Sequence, residues 1–203
     1  MARPRNQAGR RRDLVAAAGR VIVARGVTGL RVRDVAEQAQ VSPGLVTYYY
    51  KDLDELVVDV HADATRRFYT ARRDAVDSLD DPADQLAELG RLGVPDGPDD
   101  LLCRVLYELH VHGGRSPAHA EMMSSLWERE VSLYELVLAR GVERGTFTLR
   151  APVRQVAETV VALEDAVGLH VVTGNRGLTV DAARELVLGL LRRETGQASA
   201  ATS

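Results

Sequence analysis

The 203-residue chain is short of cysteine, lysine, phenylalanine and tryptophan. Its one cysteine, Cys103, excludes an internal disulfide and any Cys-x-x-Cys metal motif, and it fits a reducing compartment. No apolar run approaches the ~18 residues of a membrane span. The most apolar stretch, Val153–Val172, is broken by Arg154, Glu158, Glu164, Asp165 and His170. Arginines near the N-terminus have no apolar segment directly behind them, so no secretory signal is expected and the chain is placed in the cytoplasm, associated with the nucleoid. Lysine occurs once, at Lys51, among 26 basic residues; with abundant Ala, Val and Gly, this reads as genomic codon bias and not as mechanism.

Catalytic signatures are missing too. There is no Gly-x-Ser-x-Gly, no Walker loop, no Gly-x-Gly-x-x-Gly after a strand and no His-Glu-x-x-His. His61, His110, His112, His119 and His170 have no zinc spacing, and Cys103 and His110 stand seven residues apart instead of side by side. An enzyme, a metal and a cofactor are therefore not expected.

What is present is charge segregation. The formal net charge of −3 combines two opposed parts. Residues 1–51 hold ten Arg and Lys against three acids, +7; residues 52–203 hold sixteen against twenty-six, −10. A basic end of this kind suits a polyanion. Gly and Pro punctuate the chain, and between them apolar residues recur at spacings of three and four, which predicts an all-α chain of about nine helices. Only Thr146–Leu149 looks extended. Four parts are expected: a basic flexible arm (1–10), a three-helix helix-turn-helix domain (11–56), a helical ligand and dimerisation domain (57–194) and a disordered tail (195–203).

The local signals are strongest between residues 11 and 56. A first helix over about Arg11–Arg25 ends at Gly26, and a second covers about Val32–Ala39. After the turn Gln40-Val41-Ser42, a short third helix begins with Ser42 as N-cap and Pro43 at its first position. Asp52, with Glu55 three residues on, predicts a capping box that opens a long fourth helix to about Ser78. Two short helices across a three-residue turn, with Ala36 at the crossing and Val41 in the turn, describe a helix-turn-helix whose second helix enters a DNA major groove N-terminus first. Pro43, Gly44, Leu45, Thr47, Tyr48 and Tyr49 are expected to face out, and Val46 and Tyr50 to face in. Thr47 and Tyr48 suit base edges or phosphates, and Leu45 suits thymine methyls. Arg33, Ser42 and Lys51 suit phosphates.

The run Gly29-Leu-Arg-Val-Arg-Asp-Val-Ala-Glu-Gln-Ala-Gln-Val-Ser-Pro-Gly-Leu-Val-Thr-Tyr-Tyr-Tyr-Lys-Asp-Leu-Asp-Glu-Leu56 resembles the DNA-binding domain of the tetracycline-repressor (TetR) family. The resemblance covers about Leu14–Val58. It implies a homodimeric transcription regulator, usually a repressor, that binds a palindromic double-stranded DNA operator and leaves it when a small-molecule effector enters the C-terminal domain. It departs from the family at four places: Gln40 replaces a usual Gly, Arg31 a Thr cap, Thr47 a frequent Tyr, and Leu53 a phosphate-binding Lys.

Two wide apolar stripes toward the C-terminus fit a dimer face: Val156, Val160, Leu163 and Val167 on one helix, and Val187, Leu190 and Leu191 on the next. The competing reading buries both inside the monomer. Candidate effector contacts are Tyr107, His110, Met123, Trp127, Tyr134, Glu164 and His170, where polar or aromatic groups interrupt apolar faces. The rival function is a helical protein-interaction or non-specific DNA-binding module without ligand control. No membrane contact is expected.

Overall fold

The computed structural model describes residues 4–113 and 116–197. Among them are nine α-helices, one 3-10 turn and no strand. In chain order they are α1 (Pro4–Arg25), the turn Val27–Gly29, α2 (Val32–Gln38), α3 (Pro43–Tyr49), α4 (Leu53–Asp77), α5 (Pro82–Leu92), α6 (Leu101–Gly113), α7 (Pro117–Glu143), α8 (Val153–Val172) and α9 (Val180–Thr195). The chain forms two compact units: Met1–Arg67 with Leu101–Ser124, and Phe68–Asp100 with Ser125–Ser203. Both α4 and α7 contribute residues to each.

In the first unit α1 packs on α2 and α6, and α2 on α3. Leu14, Ala17, Ala18, Val21 and Ile22 of α1 are buried, as the spacing of three and four requires. Gly26 ends the helix at φ 71°, a left-handed angle that glycine adopts freely. The expected arm is shorter than its composition suggests: α1 begins at Pro4, where Pro suits a first helical position and Gln7, Ala8 and the arginines after them are good helix formers. Arg3 lies outside the described residues.

In the second unit α9 packs on α5 and α8. Asp81 caps α5 by accepting from the Ala83 N–H, and Thr179 caps α9 by accepting from the Ala182 N–H. The core gathers Val76, Leu86, Leu89, Val131, Tyr134, Val137, Leu138, Val156, Val160, Val187 and Leu191. Most of the stripe expected at a dimer face is therefore interior. Val156, Val160, Val167, Val187 and Leu191 are buried in the chain's own core, and Leu163 and Leu190 are half-buried. The physical reason is that α8 and α9 close over α5 and α7 residues and need these side chains to do so. The large apolar residues left open on the same helices are Leu169 and Leu186, 46% and 50% exposed.

The expected start of the tail also moves. Thr195 is a buried residue of α9, and Gly196 closes the helix in the left-handed conformation. Residues 198–203 lie outside the described part. Around the segment expected to be extended, the Thr148 N–H donates to the Thr195 carbonyl and the Arg150 N–H to that of Glu194, two isolated bonds and no strand.

Candidate nucleic-acid interface and the buried charge cluster

The end of α2 shows how the turn is built with an unfavourable residue. The Val41 N–H donates to the Ala36 carbonyl and the Gln40 N–H to that of Glu37, the paired bonds of a Schellman closure. That closure places Gln40 at φ 57°, the one non-glycine at positive φ among the described residues. Glycine would take this angle without the Cβ penalty. The closure aims the chain back, and α3 starts at Pro43. Ser42 has the extended backbone of an N-cap, but its hydroxyl makes no capping bond; the expected side-chain cap is absent.

On α3 the division of faces follows the sequence. Val46 and the following Tyr50 are buried, Leu45 and Tyr49 are half-buried, and Pro43, Gly44 and Thr47 are exposed. Tyr48 is 72% exposed, with its ring edge-on to that of Tyr49 at 5.3 Å between centroids. The Thr47 hydroxyl donates to the Gly44 carbonyl at 3.1 Å. No Cβ contact lies within 4 Å of Gly44, which leaves the helix's first turn open to close approach. Arg33, Ser42 and Lys51 are exposed at the ends of α2 and α3, and Leu53 is half-buried.

Behind α3, Tyr50 is fastened by a set of groups from α1 and α4. Its hydroxyl donates to Asp59 Oδ2 at 2.8 Å; Arg11 Nε donates to the same oxygen at 2.8 Å and stands over the Tyr50 ring at 4.6 Å. Arg11 Nη2 also reaches Glu55 Oε1 at 3.1 Å. Burial and the Asp59 carboxylate push the Tyr50 hydroxyl above its ordinary range, and the bond to Asp59 pushes Arg11 up. Arg11, the first residue of the expected helix-turn-helix domain, is thus tied to the reading head. Glu55 is diverted by Arg11 and by the Lys51 N–H, so half of the expected capping box forms: Asp52 accepts from the Glu55 N–H at 2.8 Å.

The candidate effector contacts divide between the two units. Tyr107, His110 and Met123 belong to the first unit, and Trp127, Tyr134, Glu164 and His170 to the second. His110 and His170 are solvent-exposed, the latter bonded to Asn175, because each falls on the outer face of its helix. Tyr107 and Trp127 are half-buried, Trp127 against the second unit's core.

Tyr134 and Glu164 do meet, and they meet a residue that the sequence did not single out. Arg72 of α4 is 2% exposed. Its Nη1 donates to Glu130 Oε1 at 2.7 Å and to Glu164 Oε2 at 3.0 Å; its Nη2 donates to Glu164 Oε1 at 3.1 Å and to the Leu89 carbonyl at 3.4 Å. The Tyr134 hydroxyl donates to Glu164 Oε1. The guanidinium carbon lies 5.4 Å from the ring centroids of both Phe68 and Tyr134. Gly93 makes room, since a Cβ there would overlap the Glu164 carboxylate. Burial raises Glu130 to about 8 against the pull of Arg72, and raises Glu164 while Arg72 and Tyr134 oppose it. Burial thus holds the Glu130 proton toward neutral pH, while Glu164 meets the guanidinium edge with both of its oxygens.

Met123 joins a second pair that the sequence passed over. His61 Nδ1 and His119 Nδ1 are 2.7 Å apart, and His61 Nε2 is 3.1 Å from Met123 Sδ. Thioether sulfur only accepts, so Nε2 carries the His61 proton and His119 Nδ1 donates to His61 Nδ1. Both rings are buried, and burial first, then neighbouring histidines, lowers their pKa values, that of His61 to about 4. Among the described residues no group of three or more His, Cys, Asp or Glu is arranged to hold a metal ion, and no helix is long and apolar enough to cross a membrane.

Comparison with known proteins places these features. Residues 14–60 match the family described as bacterial regulatory proteins, tetR family, and residues 82–196 match the C-terminal region of BetI-type transcriptional repressors. No curated protein matches the chain in sequence. Among solved structures, a transcriptional regulator from Saccharomonospora viridis in complex with choline is 20% identical, covers 91% of this chain and 96% of its own, and superposes with a TM-score of 0.83. A TetR-family regulator from Rhodococcus sp. is 24% identical with a TM-score of 0.75, over 92% and 99% of the two chains. A TetR-family member from Streptomyces coelicolor A3 is 29% identical with a TM-score of 0.67, over 89% and 97%. With the reading helix at one end and a matching regulatory domain over more than half its length, the chain belongs to the tetR family of bacterial regulatory proteins.

Proposed function

We propose that the chain is a homodimeric repressor that reads a two-fold-symmetric operator with two copies of α3 and releases it when a small molecule enters the second unit. One observation carries the reading: on a helix anchored from behind by Val46, Tyr50 and Arg11, the open face offers Gly44, Thr47 and Tyr48 at its start and centre. These are groups that fit base edges and phosphates, and a helix anchored on its back is held for docking. Arg33, Ser42 and Lys51 flank that face and take the phosphates on either side. The formal +7 of residues 1–51 supports the same polyanion.

For the second copy, α9 carries an open groove of about 520 Å³ lined by Ala182, Glu185, Leu186, Gly189, Arg192 and Arg193, and α8 leaves Leu169 open. Small and apolar residues with one acid and two bases suit a self-complementary contact across a two-fold axis. Two copies of α3 would then meet successive major grooves about 34 Å apart. For the effector, the Saccharomonospora protein was solved with choline, which makes choline a first compound to test. The reading assigns the chain no chemical step and places it with DNA in the cytoplasm.

The test is selection of bound sequences from random duplex DNA, followed by affinity measured against salt. The expected result is one enriched palindrome and a steep loss of affinity with salt, as for a protein that displaces several counterions. A flat salt dependence with no enriched sequence would favour a protein-interaction module. Sedimentation of Leu186→Arg tests the second copy: the wild type is expected as a dimer and the variant as a monomer.

A further inference from the structure

We propose that the side chains around Arg72 form a receptor for a guanidinium-type organic cation, and that the chain fills it with its own side chain as a built-in ligand. The site has the parts of a cation receptor. Glu164 meets the guanidinium edge with both oxygens, Glu130 adds a third, and the rings of Phe68 and Tyr134 lie 5.4 Å from its carbon. Groups other than the occupant position the carboxylate: Tyr134 donates to Glu164, and Gly93 leaves the space in which that carboxylate sits.

The occupant fits imperfectly in one respect. Arg72 Nε is buried and has no hydrogen-bond partner, so the guanidinium is held by its outer edge and its inner N–H is unmatched. A guanidinium presented free of the helix has no such constraint on its approach. Two carboxyl groups face the one cation, and the proton that burial leaves on Glu130 keeps the set in balance. Arg72 ties α4 to α7 and α8, so the occupied receptor fastens three helices of the second unit. In this chain this receptor is already filled, and an external guanidinium does not act there on the wild type.

The inference goes beyond the regulator reading but uses it for one readout. Arg72→Ala empties the receptor, and ethylguanidinium replaces what the truncation removes. The expected result is a variant of lowered Tm that ethylguanidinium restores saturably at millimolar concentration, with one site per chain by calorimetry. Ethylurea, a neutral molecule of nearly the same shape, is expected to do nothing, and wild type is expected to respond to neither. Equal rescue by ethylurea, or no rescue by either compound, would overturn the proposal; so would a response of the wild type equal to that of the variant. If Arg72→Ala does not fold alone, refolding with each compound decides: recovery with ethylguanidinium only supports the receptor, and recovery with neither overturns it. Operator binding by the refilled variant is then expected to follow ethylguanidinium with the same midpoint. Rescue of Tm in a chain that selects no DNA sequence would leave the receptor supported and remove the repressor reading instead.

Discussion

Each unit joins an arginine, a tyrosine and two carboxylates, and the two sets sit in opposite surroundings. Arg11, Tyr50, Asp59 and Glu55 meet at the margin of the first unit, where Arg11 and Glu55 are more than 40% exposed. Arg72, Tyr134, Glu164 and Glu130 meet in the core of the second, all but closed to solvent. Distances are similar in both. Water separates them: it reaches Arg11 and Glu55 of the first set and screens them, whereas the second set must balance its own charge, which is why Glu130 retains a proton. The same chemistry thus fastens a DNA-reading helix in one place and makes an internal cation site in the other.

The largest effect that would sharpen this contrast is Arg72→Ala. Removing one partner from a buried charge set is expected to cost about 3–5 kcal/mol, read as a lower Tm by fluorescence of Trp127, which lies in the second unit. A loss comparable with that of Arg11→Ala would erase the distinction. Next is Tyr48→Ala, expected to weaken specific DNA binding by about 1–3 kcal/mol with Tm unchanged, since the ring is open to solvent; anisotropy and thermal melts check both halves.

The pH response is expected to have opposite signs in the two units. Glu130 is raised to about 8 when folded, so its contribution is complete below the ordinary carboxyl range and is lost as pH rises to about 8. His61 is lowered to about 4, so its contribution is complete above the ordinary histidine value and is lost as pH falls toward 4. In Tm against pH, Glu130→Gln is expected to flatten the alkaline limb and His61→Gln the acid limb. If each variant leaves its limb unchanged, the buried assignments are wrong. Smaller still is Arg11→Ala, about 1 kcal/mol or less for a solvent-screened set. Last is Gln40→Gly, expected to raise Tm slightly by relieving the left-handed backbone, a gain of about 0.5–1 kcal/mol once glycine's own entropy cost is set against the Cβ penalty; a fall in Tm would mean that Gln40 makes a favourable contact.

Local signals made the reading head legible. Ser42-Pro43-Gly44, the acidic pair before Leu56 and the alternation of Val46 and Tyr50 with exposed neighbours are short-range patterns, and each fixes structure within one helical turn. The charge cluster was only half legible. Tyr134 and Glu164 interrupt apolar faces and stood out, but Arg72 sits among Arg66, Arg67 and Arg73, and its partners are 58 and 92 residues away. A trace of it exists: Val60, Ala64, Phe68, Arg72 and Val76 recur every four residues along α4, so Arg72 occupies a place on an otherwise apolar row. His61 and His119, 58 residues apart, had no such trace. Most of the stripe on α8 and α9 is covered within the chain, and the sequence did not tell this because an apolar stripe looks alike whether its cover comes from the same chain or a second one.

The central claim is that the open face of α3 reads duplex DNA. Parallel selections from random duplexes with wild type and Tyr48→Ala, each first shown folded by its melt, test it most directly. The account predicts one enriched palindrome for the wild type and loss of that enrichment in the variant. An identical palindrome enriched equally by both, or none by either, would contradict it.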